Sequence, residues 1–211
     1  MSFGPPSRSP YVKDGRTFVR VTSVIGICDK SGPLMHWAAK TERAAILGRL
    51  QDILNGDEPL TVDELNSFIQ GLGDTYFYRQ ASEEAAGIGR VVHAACEADM
   101  KGLPIPAFGR PEEEAAFQSY LNWKAQSDVS DAKCEVELYH DRLGYAGRAD
   151  CIARINGVLT MLDFKTSNNL YPENKLQVAA YADAAMENVY DIQACLLLLI
   201  PNTEVNKFQT Q

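Results

Sequence analysis

Two aspartates and a lysine stand where a β-hairpin brings them onto one face. Asn156-Gly157 is a strong signal for a two-residue turn between two β-branched, apolar segments. A tight turn sets Asp150 opposite Asp163, and the Cβ atoms of directly opposed residues are about 4.5–5.5 Å apart. Two carboxylates so close repel each other unless a divalent cation with hard oxygen ligands lies between them. The pattern indicates metal binding, with a solvent-exposed strand face or a register-breaking β-bulge as the alternative.

Lys165 ends the same apolar strand and lies two residues from Asp163 on one face. Arg148 is its predicted cross-strand neighbour. A carboxylate and an amine at the end of a buried strand are costly unless they are paired or coordinated. On the following helix, Gln177 and Tyr181 are four residues apart and share a face that can turn toward the same site. An ordinary amphipathic helix is the alternative for that pair.

Local signals predict the elements that position these residues. Thr61 with Glu64 forms a capping box, Ser82 suits an N-cap, and prolines begin two further helices. The aromatic segment 71–80 is a connection of undefined structure. In chain order we predict a strand or extended segment at 17–27, helices at 34–50, 62–70, 82–100 and 111–126, strands at 134–141, 145–155 and 158–165, a helix at 173–187 and a strand at 192–200. Helices followed by β-β-β-α-β indicate a mixed α/β domain.

The charge of the chain is unevenly distributed. The net charge is −8, yet residues 1–50 carry eight Lys and Arg against three Asp and Glu. A basic segment attracts a polyanion locally because electrostatic fields are screened over about 8–10 Å. A solvated helix face with a loose tail is the alternative. The candidate phosphate contacts are Arg16, Arg20, Lys30, Lys40 and Arg43, and the candidates for base stacking are Trp37, otherwise a core residue, and the aromatic residues 76–78.

Other classes of protein fit the composition poorly. The longest apolar run, 194–200, is far shorter than the roughly 20 residues needed to cross a bilayer. The first ten residues lack the apolar region of a secretory signal. The five cysteines are scattered without a C-x-x-C pair, which disfavours a disulfide framework or a four-cysteine zinc site. We interpret them as small buried residues in a reducing compartment, and expect a soluble protein of the cytoplasm without membrane contacts.

Four short motifs in this order resemble the RecB-like branch of the PD-(D/E)XK nucleases. They are Gly89-x-x-x-His93-x-x-x-Glu97, Gly147-Arg148-Ala149-Asp150, Asp163-Phe164-Lys165-Thr166 and Gln177-x-x-x-Tyr181. The N-terminal Val21-Thr22-Ser23-Val24, Lys30 and Leu34-x-x-Trp37 are similar to phage exonucleases and the mitochondrial genome maintenance exonuclease. Two departures are Asp150 after Gly-Arg-Ala rather than after proline, and Asp163 in place of glutamate. The resemblance spans roughly residues 18–200.

This resemblance implies a restriction-endonuclease-like core that hydrolyses phosphodiester bonds in DNA with a divalent metal ion. The implied enzyme is an exonuclease acting on single strands or DNA ends in replication, recombination or repair. A structure-specific endonuclease for flap or branched DNA is an alternative, as is a catalytically silent nucleic-acid-binding module on the same fold. The implied setting is the cytoplasm of a bacterial or phage-infected cell. Protein partners are not indicated.

The resemblance also implies a role for each motif residue. His93, Asp150, Asp163 and the Phe164 carbonyl would hold Mg²⁺ or Mn²⁺, although a lone helical histidine is otherwise a core or surface residue. Lys165 would stabilise the transition state, Glu97 would orient His93 or a metal-bound water, and Gln177 and Tyr181 would support the site or hold the DNA backbone, near Arg148. Relatives with an iron–sulfur cluster carry three clustered C-terminal cysteines, whereas this chain has only Cys195 there, so we expect no cluster.

The expected organisation is a flexible N-terminal arm followed by one nuclease domain. The arm comprises residues 1–16 and the domain residues 17–211. Within that domain, 17–130 is mainly helical and carries the histidine motif, and 131–211 is the catalytic β-β-β-α-β core.

Overall fold

A computed structural model describes residues 10–28, 31–56, 61–72, 76–167, 169–200 and 209–210. The chain divides into two compact units. One unit comprises Met1–Cys28 with Gly87–Gln211 and contains the sheet, and the other, Asp29–Ala86, is helical. The described part of the predicted arm is not an arm, because residues 11–13 and 16–20 pair as a hairpin. Residues 1–9 lie outside the described part.

Seven strands form the described sheet. They are β1 (Tyr11–Lys13), β2 (Arg16–Arg20), β3 (Val129–His140), β4 (Tyr145–Ile155), β5 (Val158–Lys165), β6 (Ala194–Leu199) and β7 (Gln209–Thr210). β4 is central: β3 runs antiparallel along its whole length, while β5 and the end of β2 share its other edge. β5 pairs in parallel with β6, and β6 pairs antiparallel with β7. The mixed sheet with helices confirms the α/β class.

The described residues form six helices. They are α1 (Val21–Ile25), α2 (Ser31–Leu54), α3 (Val62–Leu72), α4 (Phe77–Met100), α5 (Pro111–Ala125) and α6 (Pro172–Glu187). The capping box of α3 is confirmed, because Thr61 N–H donates to Glu64 Oε2 at 2.8 Å and Glu64 N–H donates to Thr61 Oγ1 at 3.2 Å. No helix within the described ranges is long and apolar enough to cross a membrane.

Two predictions near element boundaries are wrong. The helix predicted to begin after Ser82 begins at Phe77, so Ser82 lies inside α4 and the aromatic segment is partly helical. The β-branched segment 17–27 ends as a strand at Arg20 and continues as α1. At α1 packing overrides local propensity, since Val21 is 2% exposed and packs in a cluster with α6.

The sheet separates two hydrophobic clusters. On one face, α4 and α5 pack on β4 and β5 through Val92, Tyr120, Cys151 and Phe164. On the other face, α6 packs through a second cluster that includes Met161, Ala149, Val178, Tyr181 and Leu197. The α6 crossover joins the parallel neighbours β5 and β6, as a parallel pair requires. Helices therefore cover both faces of β5, the strand that carries Asp163 and Lys165.

The turn between β4 and β5 has the predicted form. Ile155 pairs with Val158, leaving two residues in the loop, and both have positive φ: +51° at Asn156 and +81° at Gly157. These angles are typical of a type I′ turn, whose twist matches that of the flanking strands. The predicted pairs from Ile155–Val158 to Cys151–Leu162 are confirmed.

Replacing Gly157 by alanine should lower the unfolding free energy of the sheet unit by about 1 kcal/mol, because alanine is strained in the left-handed backbone conformation of this position. A Cβ there meets nothing within 4 Å. Urea unfolding followed by circular dichroism measures the loss. Gly157→Asn is the matched control and should lose less, because asparagine tolerates positive φ. Equal losses for the two variants would contradict the turn assignment.

Candidate active site

Asp150 lies where the regular pairing of β4 is interrupted. On the β3 side, Cys134–Cys151 and Val136–Ala149 are paired, but Glu135 and Asp150 between them are not. Glu135 has a φ of +56°, a left-handed conformation that is strained for glutamate. On the β5 side the pairing ends at Cys151–Leu162, so the predicted Asp150–Asp163 and Arg148–Lys165 pairs are absent from the ladder.

Side-chain alternation also changes at Asp150. Ala149 belongs to the cluster under α6, whereas Cys151, two residues later, belongs to the cluster under α4 and α5. Regular alternation would place both on one face. The irregularity turns Asp150 so that its Oδ2 accepts the Phe164 N–H at 2.8 Å. The register of β3 on β4 is the same before and after this point, and the pairing of β4 with β5 keeps the predicted register until it stops at Cys151–Leu162.

His93 of α4 faces Asp150. The His93 Nδ1 atom is 3.5 Å from Asp150 Oδ2, and the His93 ring packs edge-on against Phe164 with centroids 5.8 Å apart. Burial lowers the pKa of His93, but the hydrogen bond and charge of Asp150 raise it above its ordinary value overall. Burial raises the pKa of Asp150, but His93, Lys165 and the Phe164 N–H together hold it below its ordinary value.

Asp163 is the most deeply buried charged group of the site. It is 1% exposed, and its Oδ1 accepts no hydrogen bond from the described residues. Its positive neighbour is the Lys165 ammonium, 2.6 Å from Oδ2. Burial raises the pKa of Asp163 to about 6 in spite of Lys165, and the negative charge of Asp150 adds to the increase. A buried carboxylate with free lone pairs is a place where a cation is stabilised.

Lys165 is held by the residues predicted on α6. Its Nζ donates to Gln177 Oε1 at 3.2 Å, and Gln177 Nε2 donates to the Tyr181 hydroxyl at 3.1 Å. Gly147 of β4 leaves room for the Tyr181 ring, because a Cβ there would overlap it, with Tyr181 Cδ1 and Cζ only 3.3 Å away. The structure therefore links β5, α6 and β4 through one row of polar contacts.

Two residues of the histidine motif, Glu97 and Gly89, make contacts that the sequence did not predict. Glu97 lines a cavity with His93 but pairs with Lys101, one turn along α4, instead of contacting the imidazole in the described structure. Gly89 permits the close approach of α4 to the end of β5, since a Cβ there would lie 2.9 Å from Thr166 Oγ1. That approach brings His93, one turn later, within reach of Asp150.

The predicted nucleic-acid contacts are dispersed. Arg148 is held by two carboxylates, Glu135 at 3.1 Å and Glu137 at 3.2 Å, so its charge is largely balanced. Arg16 and Arg20 lie over the rings of Phe18 and Tyr11. The other predicted residues are in the helical unit or outside the described residues. Trp37 (39% exposed), Lys40 and Arg43 lie on α2, the rings of Tyr76 and Tyr78 meet edge to face, and Lys30 is outside the described residues.

A cavity of about 530 Å³ opens beside this row of polar contacts. Its wall includes two of the predicted cations, Arg20 and Arg148, and both residues of the α6 pair, Gln177 and Tyr181. Glu135 also lines it, and sequence reasoning missed this residue. Alternation along β3 predicts that Glu135 and Glu137 share a face. No two-residue turn joins β3 to β4, so the sequence did not define which residues of β4 they would lie beside.

The donor atoms fit an oxygen-preferring cation in their chemistry. Asp150, Asp163 and His93 are groups that Mn²⁺ and Mg²⁺ sites use, and the buried Oδ1 of Asp163 accepts no hydrogen bond in the described structure. They are not gathered into a finished site, since no three His, Cys, Asp or Glu side chains in the described ranges lie together at metal-binding spacing. The ammonium of Lys165 is the positive charge beside Asp163 in this structure.

Fold and site together define a mixed α/β protein with a buried carboxylate–lysine pair and a neighbouring carboxylate–histidine pair. No family model matches the chain. Part of it is similar to mitochondrial genome maintenance exonuclease 1: 32% identical over 103 residues to the protein of Xenopus tropicalis, and 35% identical over 82 residues to that of Homo sapiens. These matches cover 44% and 35% of this chain, and 30% and 24% of the relatives. The chain thus spans less than a third of the length of these relatives, and the similarity supports a nuclease relationship.

Replacing Gly147 by alanine should cost about 1–3 kcal/mol of unfolding free energy, because the Tyr181 ring must move and strain the packing of α6. Urea unfolding measures the loss. The background variant Tyr181→Ala provides the control: with the ring removed, the same Gly147→Ala change should cost only a small fraction of that amount. An equal cost in both backgrounds would show that Gly147 serves another purpose.

Proposed function

We propose that this chain is a divalent-metal-dependent deoxyribonuclease of the PD-(D/E)XK superfamily, in its RecB-like branch, with a restriction-endonuclease-like core. The observation that carries the proposal is the buried Asp163, which pairs with Lys165 through Oδ2 and whose Oδ1 accepts no hydrogen bond in the described structure. The next residue, Phe164, donates its N–H to Asp150, which also contacts His93. The order β-β-β-α-β supports the core assignment. The exonuclease name of the partial relatives supports exonucleolytic action on DNA.

Three side chains and one carbonyl are the proposed metal ligands: His93, Asp150, Asp163 and the Phe164 carbonyl. When bound there, Mg²⁺ or Mn²⁺ supplies Lewis-acid chemistry, polarising the scissile phosphate and lowering the pKa of water. His93 would hold the ion through one ring nitrogen as a neutral imidazole.

Lys165 has two tasks in this proposal. Its ammonium balances the buried Asp163 charge, and it donates to the oxygen on which negative charge develops as the phosphodiester bond breaks. Gln177 fixes the direction of the ammonium through its Oε1 acceptor, and Tyr181 fixes Gln177. The pair on α6 therefore positions Lys165.

The DNA strand is proposed to enter through the 530 Å³ cavity, where Arg20 and Tyr181 line the wall beside the site. Arg148 already faces Glu135 and Glu137 and contributes little attraction until a phosphate competes with those carboxylates. The other proposed DNA contacts are Lys40, Arg43 and Trp37 of α2, with Arg16 and Lys30. Their interactions with phosphates and bases do not depend on sequence.

The deciding experiment compares end-labelled linear single strands, linear duplexes and circular single strands, each with Mg²⁺, Mn²⁺ or EDTA. Exonucleolytic action predicts that linear substrates are degraded in either metal and that circular strands stay intact. Cleavage of circular or flap-containing DNA would identify the endonuclease alternative. Metal-independent binding without cleavage of any substrate would identify the silent module.

Asp163→Asn and Lys165→Ala should each reduce cleavage by at least about 10²–10³-fold, because each removes charge that acts on the transition state. DNA binding should survive in both. Lys175→Ala is the matched control: Lys175 is an exposed lysine of α6, and its loss should leave the rate unchanged. Near-native turnover in a folded Lys165→Ala protein would contradict the role given to this residue.

Metal binding should also be visible without any substrate. A ligand that binds only the folded state at 100 times its Kd stabilises it by about 2.7 kcal/mol, so saturating Mn²⁺ or Mg²⁺ should raise the melting temperature relative to EDTA. Asp163→Asn should abolish this increase. His93→Ala should reduce the increase with Mn²⁺ more than that with Mg²⁺, because only manganese gains from an imidazole nitrogen. Equal reductions for the two ions would remove His93 from the proposed ligands.

A further inference from the structure

Two thiols face each other across β3 and β4, next to the interrupted pairing at Asp150. Cys134 and Cys151 are direct partners in the antiparallel ladder, and their Sγ atoms are 3.0 Å apart. Both are free thiols. In the described part of the chain, which includes all five cysteines, this is the one sulfur–sulfur contact.

We propose that Cys134 and Cys151 are a peroxide-oxidisable dithiol that closes to a reversible disulfide. Opposed residues in an antiparallel pair have Cα atoms about 4.5 or 5.5 Å apart, and both spacings fall within the range of about 4.4–6.8 Å that disulfides adopt. The sulfurs need to approach each other by only about 1 Å to reach the bonded distance of about 2.05 Å. The backbone pairing therefore supplies the geometry that a disulfide requires.

The two cysteines differ in access, which orders the reaction. Cys134 is half-buried and Cys151 is fully buried at 0% exposure. A small oxidant in solution reaches Cys134 first, and Cys151 is the partner that resolves the product. Cys96, buried in the same hydrophobic cluster, makes no described sulfur contact.

The chemistry proceeds in two displacements. The Cys134 thiolate attacks one peroxide oxygen, the O–O bond breaks, and hydroxide leaves with the electron pair to take up a proton, which gives a sulfenic acid and water. The Cys151 sulfur then attacks the Cys134 sulfur, the S–O bond breaks, and a second water leaves as the Cys151 proton is transferred. In sum, two thiols and one peroxide give one disulfide and two waters. A thiol reductant reverses the bond by exchange.

The cross-link would form immediately beside the strained point of the sheet. Cys134 precedes Glu135, with its φ of +56°, and Cys151 follows Asp150, where both ladders omit a pair. Bond formation moves the two sulfurs about 1 Å closer, and we expect this adjustment to shift Asp150, the neighbour of Cys151, relative to His93. If the proposed nuclease function holds, on which this consequence rests, oxidation should lower the cleavage rate by about tenfold or more, because a 1 Å misplacement can cost about 10²-fold.

Peptide mapping tests the bond independently of any activity. Trypsin places the two cysteines in separate peptides, 134–142 and 149–154, and each peptide contains no other cysteine. After treatment with hydrogen peroxide and alkylation, we expect these peptides linked, with the loss of two hydrogens, and unlinked again after dithiothreitol. A linkage of Cys134 to Cys96, or Cys134 oxidised to sulfinic acid with Cys151 still alkylated, overturns the proposal.

Two variants separate this proposal from the proposed nuclease function. Cys134→Ala should lose both the linked peptide and the effect of peroxide on cleavage, whereas Cys195→Ala, which removes an exposed cysteine outside the pair, should keep both. If the reduced protein cleaves DNA and the linked protein cleaves it equally well, the effect on Asp150 is overturned. If linked peptides form but neither state cleaves DNA, the dithiol is supported and the nuclease function fails.

Discussion

Burial of the Asp163 carboxylate beside Lys165 is the interaction on which the arrangement of the site depends. A charge removed from water is costly unless a partner offsets it, and Lys165 supplies that partner at 2.6 Å. The ammonium is in turn directed by Gln177, and Gln177 by Tyr181. Tyr181 reaches this position only because Gly147 leaves it space. Residues of α6, β4 and β5, including one glycine, thus hold Lys165 beside the buried Asp163 carboxylate.

The second constraint is the interruption of pairing at Asp150. In a regular strand Ala149 and Cys151 would share one face of the sheet, but here they pack in different hydrophobic clusters. The left-handed Glu135 and the missing pairs on both sides of Asp150 let it turn to His93 and to the Phe164 N–H. Such strain persists because the flanking pairs, Cys134–Cys151 and Val136–Ala149, fix both strands around it. The same flanking position makes the cysteine pair sensitive to changes in this region.

The two hydrophobic clusters explain how helices on opposite faces of the sheet contribute to one site. α4 supplies His93 from the face that contains Phe164, and α6 supplies Gln177 from the face that contains Met161. Consecutive residues of β5 point to opposite faces, so Asp163 and Phe164 connect the two contributions. The site therefore lies at the end of β5, where contacts from both faces meet.

The sequence by itself determined the features that short-range chemistry controls. Asn156-Gly157 defined the hairpin and its first pairs, Thr61 and Glu64 defined a helix start, and the motif spacing identified the residues that the structure brings together around Asp163 and Lys165. Tertiary structure alone decided the interruption at Asp150, the left-handed Glu135 and the parallel contact of β2 with β4. It also decided that Ser82 lies inside a helix. These features result from packing between segments far apart in the chain, which no local pattern encodes.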